Sequence, residues 1–337
     1  MSARVRVAVL AGGRSSEHDI SVASARSVIT ALDPERYETV VVKIDRVGRW
    51  ELAAGERELP EASVETLPVV AHSAPAATLG QVDVVFPILH GPFGEDGTVQ
   101  GLLELAGVPY VGAGVAASAL CMDKDLFKAV LRDRHIPVAR NVTLRHGDAA
   151  VHPFDYPVFV KPARLGSSVG ISKVGAATDL DDAVALAFRH DDKVLVEEFQ
   201  DGVEVECGVL GNREPVASVV GEIVANADWY DYAAKYDEGG MELVVPARIS
   251  DAAAERVREL AVASFVATDC EGMARVDFFV RPDGEVVVNE LNTIPGFTAT
   301  SVYAKLFDAS GVPYAELLDR LVQLALERHE RRRGLEF

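Results

Sequence analysis

The stretch Arg275-Val276-Asp277-Phe278-Phe279-Val280-Arg281-Pro282-Asp283-Gly284-Glu285-Val286-Val287-Val288-Asn289-Glu290-Leu291-Asn292 reads as a β-hairpin. Asp-Gly between two runs of β-branched and aromatic residues is a strong hairpin signal. A two-residue loop at Asp283-Gly284 sets Asp277 opposite Glu290 and Arg275 opposite Asn292. Side chains alternate along a strand, so these four share one face of the sheet. Facing positions lie roughly 5 Å apart, where two carboxylates repel unless a cation sits between them. Spacing alone leaves two readings of this face: a solvated polar surface, and a divalent-cation site. Asp, Glu and Asn supply the hard oxygen ligands that suit Mg2+, which completes its shell with water and phosphate oxygens.

Outward from the hairpin the chain alternates strands and helices. Strands near 203–210 and 214–224 flank a Gly211-Asn212 turn, a polar, aromatic loop spans 226–240, and Ser250 opens a helix. Upstream, a helix runs from Asp123-Lys124 to His135 and ends at Pro137. Strands follow at 157–161, 169–174 and 193–197, with a Gly-Ser loop after the first and a helix opened by Thr178 before the last. The N-terminal part reads as a strand at 5–11, a helix at 18–32 and a strand at 38–44. After a poorly patterned stretch near 51–80 come a buried strand at 82–89 and a helix closed by Gly107. The double glycine Gly12-Gly13 is not a dinucleotide fingerprint, because GxGxxG is absent.

The 337 residues, 49% of them apolar, suffice for two or three domains with real cores. With 33 basic and 52 acidic residues the formal charge is −19, which argues against nucleic acid or an anionic membrane as the main partner. The three cysteines, Cys121, Cys207 and Cys270, are scattered without a CxxC, as expected of reduced thiols buried as small hydrophobes. The apolar run at the start is too short for a signal-peptide core, and no run approaches the length of a membrane span, so a cytoplasmic protein is expected.

Several other groups could carry chemistry. In Lys161-Pro-Ala-Arg-Leu-Gly166-Ser167-Ser168-Val-Gly170 a strand delivers a lysine beside a loop rich in backbone and hydroxyl donors, a combination suited to phosphate oxygens. The lysine precedes the glycines, so this is not GxxxxGK[ST], and a bare Gly-Ser-Ser turn is also compatible with a turn alone. The loop Asp228-Trp-Tyr230-Asp231-Tyr232-Ala-Ala-Lys235-Tyr236 gathers phenols and a lysine, either as local surface packing or as part of a closing lid. His90 follows a buried strand, where structural histidines are common, and Glu17 stands near a helix start, where a carboxylate also compensates the dipole.

Taken together these residues resemble the ATP-grasp superfamily, and within it the D-alanine-D-alanine ligase family. The resemblance rests on AGGRSSEHDIS at 11–21, HGPFGEDGTVQG at 90–101, SALCMDK at 118–124, KPARLGSSVGISKV at 161–174, YDYAAKY at 230–236, and ARVDFFV at 274–280 with NELNTIPGFT at 289–298. These motifs occur in family order and span roughly residues 6 to 320.

The resemblance implies an α/β (α+β) three-domain ATP-grasp fold. Its parts would be a Rossmann-like N-terminal substrate-binding domain at 1–113, a central subdomain at 114–201, and a C-terminal subdomain at 202–334 with a mobile loop at 226–240. It implies ATP as cofactor with two Mg2+ ions, Mn2+ being an acceptable substitute, D-alanine as substrate and a homodimer. The reaction would be phosphorylation of one D-alanine carboxylate followed by attack of a second D-alanine amine, with D-lactate or D-serine as the alternative second substrate. A catalytically inactive nucleotide-binding regulator is the rival from another class, and it predicts loss of Arg275 or a metal ligand, all of which are present.

By motif position, Lys124, Lys161, Ser168 and Lys235 correspond to groups on the ATP phosphates, Glu197, Glu198 and Phe199 to the adenine border, and Glu204 to the ribose carboxylate. Asp277, Glu290 and Asn292 correspond to the metal ligands. Arg275 and the Gly296 N–H correspond to the oxyanion donors. Glu17, linked through Ser167 to Tyr236, corresponds to the carboxylate on the first D-alanine's ammonium. His90 is expected on that substrate, and Ser301-Val302 on the second D-alanine's carboxylate. Ala233 departs from the glutamate common in the loop motif, which bears on loop closure.

Overall fold

The computed structural model describes residues 4–53, 79, 82–166, 169–225 and 241–336. Ser167, Ser168 and the loop 226–240, with Lys235 and Tyr236, lie outside the described residues. Three sheets carry the described chain.

The first sheet contains β1 (Val5–Gly12), β2 (Tyr37–Ile44), β3 (Trp50–Ala53) and β4 (Val84–Ile88) in the order β3-β2-β1-β4. β1 lies parallel to both β2 and β4, and β3 is an antiparallel edge that the sequence did not signal. β1 and β4 are continuous apolar runs because both faces of the sheet are covered. Val7, Val9, Phe86 and Ile88 point into one core cluster and Ala8, Leu10 and Val85 into another. The helix His18–Ala31 packs on the first face. So does the C-terminal helix Tyr314–Arg333, whose stripe Leu317, Leu318, Leu321, Val322 and Ala325 returns the end of the chain to its beginning.

The second sheet is antiparallel, with β5 (Asn141–Arg145), β6 (Val158–Pro162), β7 (Ser172–Val174) and β8 (Lys193–Glu198) in the order β5-β8-β6-β7. β7 is shorter than the expected 169–174. Thr178 does not open the helix but lies inside a 3-10 turn over Ala177–Asp179, and the α-helix begins only at Leu180–Ala187 with Asp179 as its N-cap, where Leu180, Ala183 and Val184 can reach the sheet.

The third sheet holds β9 (Val203–Gly211), β10 (Val216–Ala225), β11 (Met241–Val244), β12 (Gly272–Val280) and β13 (Val286–Asn292) in the order β11-β10-β9-β12-β13, all antiparallel. The helix Asp251–Ala267, capped by Ser250 Oγ accepting from Ala253 N at 3.2 Å, covers its apolar face. Val257, Leu260 and Phe265 meet Val205, Val276 and Phe278 there, each such burial worth about 1.5–3 kcal/mol. The helices Val115–Met122, absent from the sequence reading, and Lys124–Asp133 add Ala117, Cys121, Phe127 and Leu131 to the same core.

The hairpin loop corrects the expectation. Arg281 N donates to Glu285 O at 2.8 Å, so the loop is the three residues Pro282, Asp283 and Gly284, with Gly284 left-handed at φ +87°. The extra residue pairs Phe278 with Val288 and Val280 with Val286. A bulge at Asn289 then restores the register, and Asp277 faces Glu290 and Arg275 faces Asn292 as the sequence predicted, for a different reason.

Candidate active site

Asp277 has a carboxylate neighbour on each side in the sheet, Glu206 on β9 and Glu290 on β13. Three carboxylates in a row across three strands would repel, and Arg275 offsets this. It donates to both oxygens of Asp277 at 2.7 Å and pairs with Glu206 Oε2 at 2.9 Å. Burial works against the guanidinium charge, but Asp277 and Glu206 outweigh it and hold the pKa of Arg275 well above its ordinary value. Asn292 Nδ2 donates to Asp277 at 3.0 Å, and Lys124 Nζ lies 3.4 Å from Glu290.

The donor chemistry fits a hard cation: two facing carboxylates and an amide oxygen suit Mg2+, which takes few protein ligands when phosphates complete its shell. No group of three or more His, Cys, Asp or Glu is already arranged for a metal among the described residues. Arg275 and Lys124 hold the carboxylates instead.

Opposite this face, the C-terminal ends of β1 and β4 deliver Glu17 and His90. β1 is where the parallel sheet runs outward in both directions, the place where such sheets bind ligands. Glu17 is buried at the start of the helix His18–Ala31. Two loops close around its carboxylate, since a Cβ added to Gly91 would come within 2.8 Å of Glu17 Oε2 and one on Gly166 within 3.7 Å.

His90 is buried, and its Nδ1 lies 2.9 Å from Ile294 O. A carbonyl can only accept, so Nδ1 carries the proton. Burial pulls the pKa of His90 down and keeps the ring neutral, which leaves Nε2 as an acceptor with no hydrogen-bond partner among the described residues. The other backbone group of Ile294 is held as well: Glu95 Oε2 accepts its N–H at 3.2 Å, while Glu95 Oε1 accepts Gly91 N at 2.8 Å. The recessed position of Glu95 and then the charge of Glu17 push its pKa up to about 8.

These groups line one cavity of about 450 Å3, together with Gly296, Ser301 and Val302. Ser301 stands at the N-terminus of the helix Val302–Ala309, and its Oγ accepts Thr298 N at 3.0 Å.

A second group of charges lies between the second and third sheets. Glu197 Oε1 accepts from Lys161 Nζ at 2.6 Å, and Lys128 Nζ pairs with Glu197 Oε2 at 2.8 Å. Burial alone would raise the pKa of Glu197, but the two lysines bring it below the carboxylate norm. Burial likewise lowers Lys128, to about 8, against the charge of Glu197. Lys193 pairs with Asp123 at 2.5 Å, and Lys124 also donates to Leu165 O at 2.9 Å, at the start of the Gly-Ser loop. Along the same edge, Glu198 is held by Arg140 at 2.6 Å and the Phe199 ring lies under Lys173 Nζ at 4.8 Å. Glu204 shares its sheet face with Glu206, two residues along β9.

Sequence reasoning thus finds Glu17, His90, Arg275, Glu290, Asn292, Gly296, Ser301 and Val302 around one cavity, with Asp277 bonded to Arg275 and Asn292. It finds Lys124, Lys161 and Glu197 in the lysine cluster. It misses Glu95, Glu206, Lys128 and Lys193. Glu206 was within reach, because Glu204 and Glu206 make one face of an otherwise apolar strand polar. Lys128 lies four residues after Lys124 on a helix, a spacing shared by many surface lysines.

Two family models match the chain, the D-ala D-ala ligase N-terminus over residues 6–113 and the D-ala D-ala ligase C-terminus over residues 130–323. The chain belongs to the D-alanine-D-alanine ligase family. Among the family's curated members it is 49% identical to the D-alanine-D-alanine ligase of Deinococcus radiodurans over 336 residues, covering 96% of this chain and 98% of that one. Among solved structures it resembles the VanG D-Ala:D-Ser ligase of Enterococcus faecalis, with a TM-score of 0.86 and 38% identity over 96% of this chain and all of that one. The D-alanine-D-alanine ligase of Bacillus anthracis complexed with ATP is also similar, with a TM-score of 0.77 and 27% identity, covering 97% of this chain and 99% of that one. The fold is accordingly that of the ATP-grasp ligases, and the cavity between β1, β4 and the β12-β13 hairpin is the candidate active site of this chain.

Proposed function

We propose that the protein joins two D-alanine molecules to D-alanyl-D-alanine at the expense of ATP, through an acyl phosphate, for peptidoglycan synthesis. The observation that carries this reading is the convergence, in one cavity, of an anion from the first sheet, Glu17, with a cation from the third, Arg275. A zwitterionic amino acid needs both. Glu17 takes the ammonium of the first D-alanine, and His90, whose Nε2 is left an acceptor by the bond to Ile294, lines the same cavity. Arg275 and the Gly296 N–H meet the oxyanion that forms as the second amine attacks, and Ser301 and Val302 hold the second carboxylate. Lys124 and Lys161 take phosphate oxygens of ATP, with Glu197, Glu198 and Phe199 along the adenine and Glu204 at the ribose. The main contribution of the protein is positioning and charge neutralisation, since phosphorylation already supplies the leaving group.

Asp277, Glu290 and Asn292 are the residues that would hold two Mg2+ ions, which when bound neutralise phosphate charge. The protein is taken as cytoplasmic, where ATP is available, and as a homodimer. No helix among the described residues is long and apolar enough to cross a membrane.

D-Serine is the second reading for the attacking amine, favoured by the likeness to the VanG ligase. The test is phosphate release from Mg·ATP with D-alanine, with L-alanine, and with D-alanine plus D-serine or D-lactate, the product being weighed. Release that depends on D-alanine and yields the dipeptide is expected. A mixed product formed faster than the dipeptide overturns the choice of second substrate, and no release with any of these overturns the reaction.

A further inference from the structure

A buried carboxylate needs one cation, and Glu197 has two. It is 2% exposed on β8, with Lys161 Nζ at 2.6 Å on one oxygen and Lys128 Nζ at 2.8 Å on the other. The remaining lysines of the cluster have carboxylates of their own, Lys124 with Glu290 and Lys193 with Asp123 and Asp125. Lys128 is therefore a second cation on Glu197 in this state. Its side chain is wholly inside, and lysine is almost never fully buried without a compensating reason.

Lys161 and Lys128 differ in what they can do next. Lys161 stands next to the last residue of β6, ahead of the Gly-Ser loop, and is 7% exposed, whereas Lys128 on the helix Lys124–Asp133 is fully buried. On the reading above, Lys161 turns to a phosphate of ATP. That turn would strip Glu197 of one partner, and a single-lysine arrangement would leave a buried carboxylate bare, among the costliest changes a protein interior can undergo.

We propose that Lys128 is a positioning residue whose task is to keep Glu197 neutralised when Lys161 leaves it for the nucleotide. This rests on the assignment of Lys161 to an ATP phosphate. Glu197 thereby serves as a resting place for the phosphate lysine, and Lys128 as the fixed charge that makes the exchange affordable in either direction. The arrangement accounts for two lysines on one carboxylate, for the full burial of one, and for the slight exposure that the other keeps.

The test compares Lys128→Met and Lys161→Met in the full chain, measuring binding of ATP and of adenosine, which has no phosphate to draw Lys161 away. Lys128→Met is expected to weaken ATP at least about tenfold, with adenosine affinity and the KM for D-alanine unchanged. Lys161→Met is expected to weaken ATP and not adenosine. If Lys161→Met weakens ATP while Lys128→Met does not, the proposal fails and the assignment of Lys161 stands. If Lys128→Met weakens adenosine as much as ATP, its role is support of the cleft and the proposal fails. Wild-type ATP affinity in Lys161→Met removes the assignment itself and the proposal with it. Lys128→Gln, which keeps a donor for Glu197 without the charge, carries the same expectations if the Met variant does not fold.

Discussion

Arg275 and Asp277 are bound to each other by two parallel hydrogen bonds of 2.7 Å, although they stand two apart on one strand and have different proposed tasks. The proposed oxyanion donor is thus parked on a proposed metal ligand. A cation at Asp277 competes with this pair, and Arg275 keeps Glu206 as an alternative partner at 2.9 Å. Asp277→Asn keeps the shape and removes the charge on which both the cation and the arginine depend. Turnover is expected to fall at least about a hundredfold with the circular dichroism spectrum unchanged. Near-normal kcat at saturating Mg2+ would remove Asp277 from the metal site.

Glu95 supplies a pH dependence with a definite sign. Its carboxyl titrates near 4.5 when unfolded and at about 8 in the folded chain. Between those values the folded state holds the extra proton, so Glu95 contributes its full stability below about 4.5 and loses it as pH rises through 8. The melting temperature of Glu95→Gln relative to the wild type should therefore climb from pH 5 to pH 8, by the equivalent of a few kcal/mol at most. A difference that is flat over this range would show that Glu95 is ionised throughout.

Two glycines with positive φ should respond differently to alanine. At Gly12, φ is +95° and a Cβ would lie 2.3 Å from the Ile44 carbonyl oxygen, at the end of β1 where the chain turns toward Glu17. At Gly107, φ is +64° and nothing lies within 4 Å. Gly107→Ala is expected to cost about 1 kcal/mol, the left-handed penalty alone, and Gly12→Ala more than about 2 kcal/mol in urea unfolding. Equal costs would mean that the loop at Gly12 relaxes freely.

The cysteines should be inert in the native protein. All three are buried, and burial raises the pKa of Cys207 to about 12 and that of Cys121 well above its usual value. Cys121 and Cys270, remote in sequence, have sulfurs 4.0 Å apart in the core of the third sheet as unlinked thiols. A thiol-specific reagent at pH 8 is expected to modify none rapidly and all three after denaturation. Fast modification of Cys121 in the folded state would contradict its place in the core.

By itself the sequence determined what neighbours along the chain decide. The alternation of strands and helices announced an α/β N-terminal part, with a buried strand at 82–89. Strand parity placed Arg275, Asp277, Glu290 and Asn292 on one face, and Asp123 and Ser250 marked helix starts that the structure keeps. Local signals faltered where two local solutions are close in energy. Asp283-Gly284 suits loops of two or three residues, and only the bulge at Asn289 returned the hairpin to the expected register.

The tertiary structure decided the pairings that no spacing encodes. Ile294 has its N–H held by Glu95 and its carbonyl by His90, across about two hundred residues of chain, which fixes the tautomer of the histidine. Lys128 meets Glu197 because the helix Lys124–Asp133 buries Phe127 and Leu131 in the core of the third sheet while it presents Lys128 to β8 of the second, and Arg275 meets Glu206 because β12 pairs with β9. Burial, moreover, is a property of the assembled molecule. Whether a lysine is a solvated surface charge or the enclosed partner of a carboxylate depends on atoms contributed by distant elements, and residue type and periodicity do not carry that information.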